Sequence, residues 1–207
     1  MTDEKCRRLE VQYRSCPSPE NGAAWLAERA RQGFPSMESI RLAAFLGHES
    51  ACLMTGEVSG DVTDPDTWAA DLARFGRTPC VELALFLGED LMGTLTLPRV
   101  LDPVLFHALD AARRDLGRQE ALVPPFEVFE DAWDLLLEAQ DSGDVPLADA
   151  ACAAMNCAGA VLSHEALGAA NAVGRIVLEL NQSRTPSWVR RQLREFADRK
   201  LETPRRP

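Results

Sequence analysis

The sequence predicts an all-α protein of about ten short to medium helices packed as antiparallel neighbours, and three observations lead there. Ala (29) and Leu (27) together supply 56 of the 207 residues, against 13 Val, 2 Ile, 9 Thr and 1 Tyr. Ala and Leu lose little side-chain freedom in a helix, whereas the β-branched and aromatic residues that fill strands are scarce. Five times a capping residue stands before proline, in Ser18-Pro19, Asp64-Pro65, Thr78-Pro79, Asp102-Pro103 and Thr185-Pro186. The side-chain oxygen at such a position accepts an orphan backbone N–H, and proline at the first helical position loses no hydrogen bond. The stretches between the periodic segments are short, which makes sequential helices antiparallel neighbours.

The elements follow in order. A first helix is expected near 4–14. The second, near 19–32, starts after Ser18, and the third and fourth, near 37–46 and 48–55, stop at Gly47 and Gly56. Asp64-Pro65 opens a helix near 65–75, Thr78-Pro79 one near 79–92, and Asp102-Pro103 one near 102–116. The remainder fall near 125–141, 146–167, 169–182 and 186–201. Glycines 33, 47, 56, 76, 93, 117 and 143 stand where the apolar periodicity stops, the place for left-handed C-terminal caps. Val81 to Leu87 is apolar on nearly every side except Glu82 and reads as a central helix. Phe126, Phe129, Trp133, Leu136 and Leu137 recur at helical spacing and read as one buried face. The small residues at 148–160 let neighbouring helices approach closely.

Length fits a single helical domain. The connections at 56–64 and 117–124 are the longest, and the second, followed by Pro125, is the expected sub-boundary, at 117–125. Leu42-Ala43-Ala44-Phe45-Leu46-Gly47 is echoed by Leu83-Ala84-Leu85-Phe86-Leu87-Gly88 at an offset of 41 residues. That offset falls in the range of two-helix HEAT and armadillo repeats, so the N-terminal half is either a short solenoid of that kind or a chance echo in an Ala/Leu-rich chain.

Charge narrows the function classes. The chain carries 22 basic and 32 acidic side chains, a net −10. From Arg184 to Pro207 stand eight basic and three acidic residues, a net +5 that leaves −15 on residues 1–183. The acidic body disfavours general binding to phosphate backbones or anionic lipid. In the basic end, Val189, Leu193, Phe196 and Ala197 make an apolar face opposite Arg190, Arg191 and Arg194. A final helix packed with its own counter-charge is the favoured reading, over a nucleic-acid or lipid contact. The N-terminus lacks the apolar run of a signal peptide, so a cytoplasmic protein is expected. Residues 145–162 are apolar but interrupted by Asp149 and Asn156, which reads as a core helix and not a membrane span. Cys6, Cys16, Cys52, Cys80, Cys152 and Cys157 form no regular framework and are expected as reduced thiols.

Catalytic and metal motifs are sparse. There is no G-x-x-x-x-G-K-[ST], G-x-G-x-x-G or G-x-S-x-G string, and no H-E-x-x-H or E-x-x-H pair. Cys152, Cys157 and His164 lack zinc-finger spacing, and Asp61 to Asp66 lacks the glycine and terminal glutamate of an EF-hand. Neither a metal site nor a cofactor is indicated. His48, between Gly47 and Glu49, is the histidine placed for function, although a helix cap or a bond to a backbone carbonyl accounts for it more simply. His107 reads as a satisfied boundary residue.

The run Ile40-Arg41-Leu42-Ala43-Ala44-Phe45-Leu46-Gly47-His48-Glu49-Ser50-Ala51 resembles an L-A-A-[FY]-L-G-H-x-x-A signature of Ala-rich helical immunity proteins from bacterial polymorphic toxin systems. The likeness continues through Trp68, Phe75-Gly76, the Ala-rich stretch at 148–172 and Trp188-Val189-Arg190-Arg191. A similar A-A-x-x-G-H-x-x-A string occurs in Sel1-type helical repeats. The resemblance implies a non-enzymatic intracellular protein that binds another protein, here one with a basic surface. His48, Glu49, Asp61, Asp64 and Asp66 are the expected partner-binding residues. The alternatives are a helical scaffold or regulatory subunit, and an enzyme using His48 with Cys52, one helical turn apart.

Overall fold

A computed structural model describes residues 2–94, 102–119 and 121–202. Among them lie eleven α-helices and no strand, so the fold is all-α as the composition dictates. The helices are α1 (Thr2–Ser15), α2 (Pro19–Arg31), α3 (Met37–Phe45), α4 (Glu49–Thr55), α5 (Pro65–Leu72), α6 (Arg77–Thr94), α7 (Asp102–Leu116), α8 (Pro125–Ser142), α9 (Val145–Leu162), α10 (Ala166–Ser183) and α11 (Pro186–Glu202), with a single 3-10 turn at Ala73–Phe75 after α5.

Caps and prolines set most starts. Ser18 accepts from Asn21 N–H, Asp64 from Thr67 N–H and Thr185 from Trp188 N–H, each ahead of a proline. Thr78 is no cap, because α6 starts one residue earlier and Pro79 occupies its first turn. The side chain of Asp102 and the tail arginines 205 and 206 lie outside what the structure describes. Gly33, Gly47, Gly56, Gly76 and Gly143 have positive φ. At the end of α7 it is Arg118, at φ 54°, that turns left-handed in place of Gly117, and Gly93 is inside α6. The helix expected at 146–167 is cut at Ser163, whose backbone is extended, and α10 begins afresh at Ala166.

The chain falls into two compact units, residues 1–60 with 190–207, and residues 61–189. The 117–125 connection, expected as the sub-boundary, lies inside the second unit. The two copies of the 41-residue echo fall one in each unit, and their local structures differ. Gly47 ends α3 at φ 90°, whereas Gly88 is helical and sits where an added methyl would meet Leu109 Cδ2 at 2.8 Å.

In the first unit, α2 packs on α1 and α4, and α3 on α4. Leu26, Ile40, Phe45 and Leu46 form its core with Leu193, Phe196 and Leu201 of α11, all buried. In the second unit α9 is the hub and meets α6, α7, α8 and α10. Ala150, Ala151, Ala154, Ala158 and Ala160 of α9 are fully buried. The helix is long and apolar enough to cross a bilayer, yet two thirds of it, 67%, is buried among its neighbours. Cys157 donates its thiol to Ala84 O of α6 at 3.1 Å, a contact possible only where two helices lie close. Arg77 ties the edges together. Its guanidinium forks onto Asp115 at 2.8 and 3.0 Å and donates to the carbonyls of Val161 and Ser163 at 2.7 and 2.6 Å, satisfying the C-terminal end of α9.

Ala158→Leu overpacks this hub and is expected to lower stability by about 1 to 3 kcal/mol. Urea unfolding checks it: the midpoint falls while the slope with denaturant is unchanged.

Candidate functional site

His48 stands where the sequence placed it, at the α3–α4 junction, and the fold gives it two partners. Its Nδ1 accepts from Ala51 N–H at 3.1 Å, capping α4, and its Nε2 lies 3.2 Å from Asp198 Oδ1 on α11. An Nδ1 that accepts carries no proton, so the proton of the neutral ring sits on Nε2, the nitrogen that faces Asp198. Burial pushes the imidazole's pKa down, opposed by the charge of Asp198. Burial also raises the Asp198 carboxyl, opposed by His48. Both effects favour a neutral ring at this junction.

The pair opens onto a cleft of about 160 Å³ in the first unit, walled by Tyr13 and Trp25, whose rings stack at 5.5 Å, and by Ser50 and Glu202. Gly22 lets Ser50 in: a methyl there would fall 2.1 Å from the Ser50 hydroxyl. Trp25 is fixed by Arg29, whose guanidinium lies 4.6 Å from its ring and donates to Leu201 O at 3.0 Å.

Cys52 does not line this cleft. Its thiol donates to Ala44 O at 3.2 Å, and burial raises its pKa, the opposite of an activated nucleophile. Cys80, Cys152 and Cys157 are pushed up to about 12 by burial, and all six cysteines are unpaired. Among the described residues no three His, Cys, Asp or Glu side chains come together as a metal site.

The expected partner-binding residues divide between the units. Glu49 is exposed beside His48 and meets Arg194 of α11 at 3.3 Å, while Arg190 and Arg191 are exposed. Val189, Leu193, Phe196 and Ala197 are buried, so α11 is packed by the face the sequence indicated. Asp61, Asp64 and Asp66 sit together before and in the first turn of α5, in the second unit. Asp61 accepts from Thr63 N–H and Oγ1 at 3.0 and 2.7 Å, and Asp64 is the α5 cap, so both carboxylates have local structural partners; Asp66 is exposed.

The second unit also shows a surface that sequence reasoning misplaced. On α8 the buried residues are Val128, Ala132, Leu136 and Ala139, whereas Phe126, Trp133 and Leu137 are 57%, 46% and 45% exposed. Phe129 is half-buried between the two sets. The remaining face holds Glu127, Glu130, Asp131, Asp134, Glu138 and Asp141, all exposed, and α8 has no basic residue. At roughly 100° per residue, the apolar positions of α8 sweep roughly 200° of its circumference, more than one neighbouring element covers. That excess width is the signal in the sequence from which an uncovered stripe is legible.

Comparison with protein-family models, curated proteins and solved structures gives no match. The resemblance at 40–51 therefore stands on those residues alone.

His48→Ala removes the α4 cap and is expected to cost about 1 kcal/mol. The pH dependence is separable. A histidine whose pKa is lowered by folding binds fewer protons in the native state, so its contribution is intact above its ordinary value of 6.5 and is lost as the pH falls below it. Urea midpoints measured from neutral pH downward should show this decline in the wild type. His48→Asn, which keeps the cap and cannot titrate, should flatten it.

Proposed function

We propose that this is a non-enzymatic protein-binding protein whose acidic surface captures a basic partner, in the manner of an immunity protein that neutralises a toxin. The observation that carries the reading is α8, where six exposed carboxylates, held in no ion pair among the described residues, run beside three exposed large apolar side chains. Exposed apolar residues gathered on one face mark contact surfaces, and one sign of charge beside them steers an oppositely charged partner. The His48 cleft supports the same reading from the other side, since its Nδ1 is committed to a helix cap and Cys52 is turned to a backbone carbonyl.

Affinity capture with the full chain from its native cell extract, followed by reconstitution with the captured protein, tests this. A basic protein in one-to-one ratio is expected, with an association rate that falls on the order of tenfold or more as salt is raised. Its expression alone should arrest growth, relieved by co-expression of this chain. A salt-insensitive partner, or no stoichiometric partner, overturns the reading, and a large multi-subunit assembly replaces it with the scaffold alternative.

A further inference from the structure

We propose that the exposed face of α8 is a docking seat for one amphipathic helix of the partner, a helix that lays an apolar stripe on Phe126, Trp133 and Leu137 and a lysine- or arginine-rich flank on the adjoining carboxylates. The inference rests on the protein-binding reading above and names what the partner must present.

The geometry of α8 divides its surface into three sectors. Taking Phe126 as the reference and roughly 100° per residue, Leu137 and Trp133 fall within roughly 20° of it on either side. The buried residues Val128, Ala139, Ala132 and Leu136 fall together on one side of this stripe. Glu130, Asp141, Asp134, Glu127, Glu138 and Asp131 follow one another on the other side, and no apolar residue interrupts them. From Phe126 to Leu137 is eleven residues, about 16 Å along the axis, so the stripe offers three turns to a facing helix. Phe, Trp and Leu spaced i, i+7, i+11 suit the recurring anchors of a helix laid in a groove.

Charge chooses among occupants. A second copy seated on this face would bring the same six carboxylates against these six. An anionic membrane or a nucleic acid would be repelled for the same reason. The chain's own basic helix, α11, has its apolar face already buried through Val189, Leu193, Phe196 and Ala197. A basic amphipathic helix of another protein satisfies both sectors at once: it covers the apolar stripe and neutralises the flank.

The probe is a synthetic, tryptophan-free, helix-forming peptide of about eighteen residues with leucines on one face and lysines on the rest, used beside a peptide of the same composition with the pattern scrambled. Titrated into the full chain, the patterned peptide should blue-shift the fluorescence of Trp133, a shift absent from Trp133→Phe while binding by calorimetry persists. Phe126→Ser/Trp133→Ser/Leu137→Ser changes only exposed side chains, should keep the wild-type circular dichroism and melting, and should weaken binding about tenfold or more. Glu130→Gln/Asp134→Gln/Asp141→Gln should weaken it at low salt and much less at high salt. Asp61→Asn/Asp66→Asn should leave it unchanged. Equal binding of the scrambled peptide, no binding of the patterned one, or an unaffected stripe variant overturns the seat. So does a wild-type dimer that the stripe variant dissolves. The captured native partner separates the two ideas: if it binds the stripe variant as tightly as the wild type, the helix seat fails while capture by an acidic surface stands.

Discussion

The second unit depends on α9 being narrow. Packed helices ordinarily keep their axes 8 to 10 Å apart, with the distance set by the side chains at the contact. α9 meets four helices, and alanines at 150, 151, 154, 158 and 160 leave room for all of them. The closeness shows in what the larger atoms do. The Cys157 thiol reaches a backbone carbonyl of α6, and Gly88 on α6 has no space for a methyl beside Leu109 and Cys157. Asn156, buried in the same helix, spends its amide on Cys152 O at 2.8 Å and so leaves its donor satisfied without a partner from another helix. On the far side, Gly174 of α10 faces Pro65 and Ala69 of α5, where a methyl would meet Ala69 Cβ at 2.8 Å.

Much of this was legible because it is local. Ser18, Asp64 and Thr185 each fix a helix start through a bond three residues away, and the proline after each adds a second local signal. Alanine density at 148–160 marks a tightly surrounded helix whichever helices surround it. Where local signals failed, a competing geometry took over. Thr78 lost its cap when α6 began at Arg77, whose guanidinium is held by Asp115 and by the carbonyls of Val161 and Ser163 at the end of α9. Gly47 and Gly88 look alike in sequence, but one ends a helix and the other is a contact point inside one, against Leu109 and Cys157 far along the chain.

The site divides the same way. That His48 sits at a helix junction follows from Gly47 before it and Glu49 after it, and its cap to Ala51 is a bond within four residues. Asp198, 150 positions on, is invisible to any local pattern, yet it is the charged group that faces the protonated Nε2. Burial there acts on both partners in the same sense, against their charged forms, and the attraction between the two groups opposes it.

The composition of α8 cannot be explained by the stability of α8. Glu127 with Asp131, Glu130 with Asp134 and Asp134 with Glu138 are like-charged pairs one turn apart, and each such pair costs about 0.2 to 0.5 kcal/mol. Glu138 and Asp141 stand in the C-terminal half of the helix, where the macrodipole disfavours negative charge, and no basic residue on the helix offsets any of the six. The buried set Val128, Ala132, Leu136 and Ala139 already anchors the helix, so Phe126, Trp133 and Leu137 add exposed apolar area that its anchoring does not require. Two features that each work against an isolated helix occur side by side on one. A basic amphipathic surface laid against them reverses the sign of both, turning repulsion into attraction and exposed apolar area into buried area.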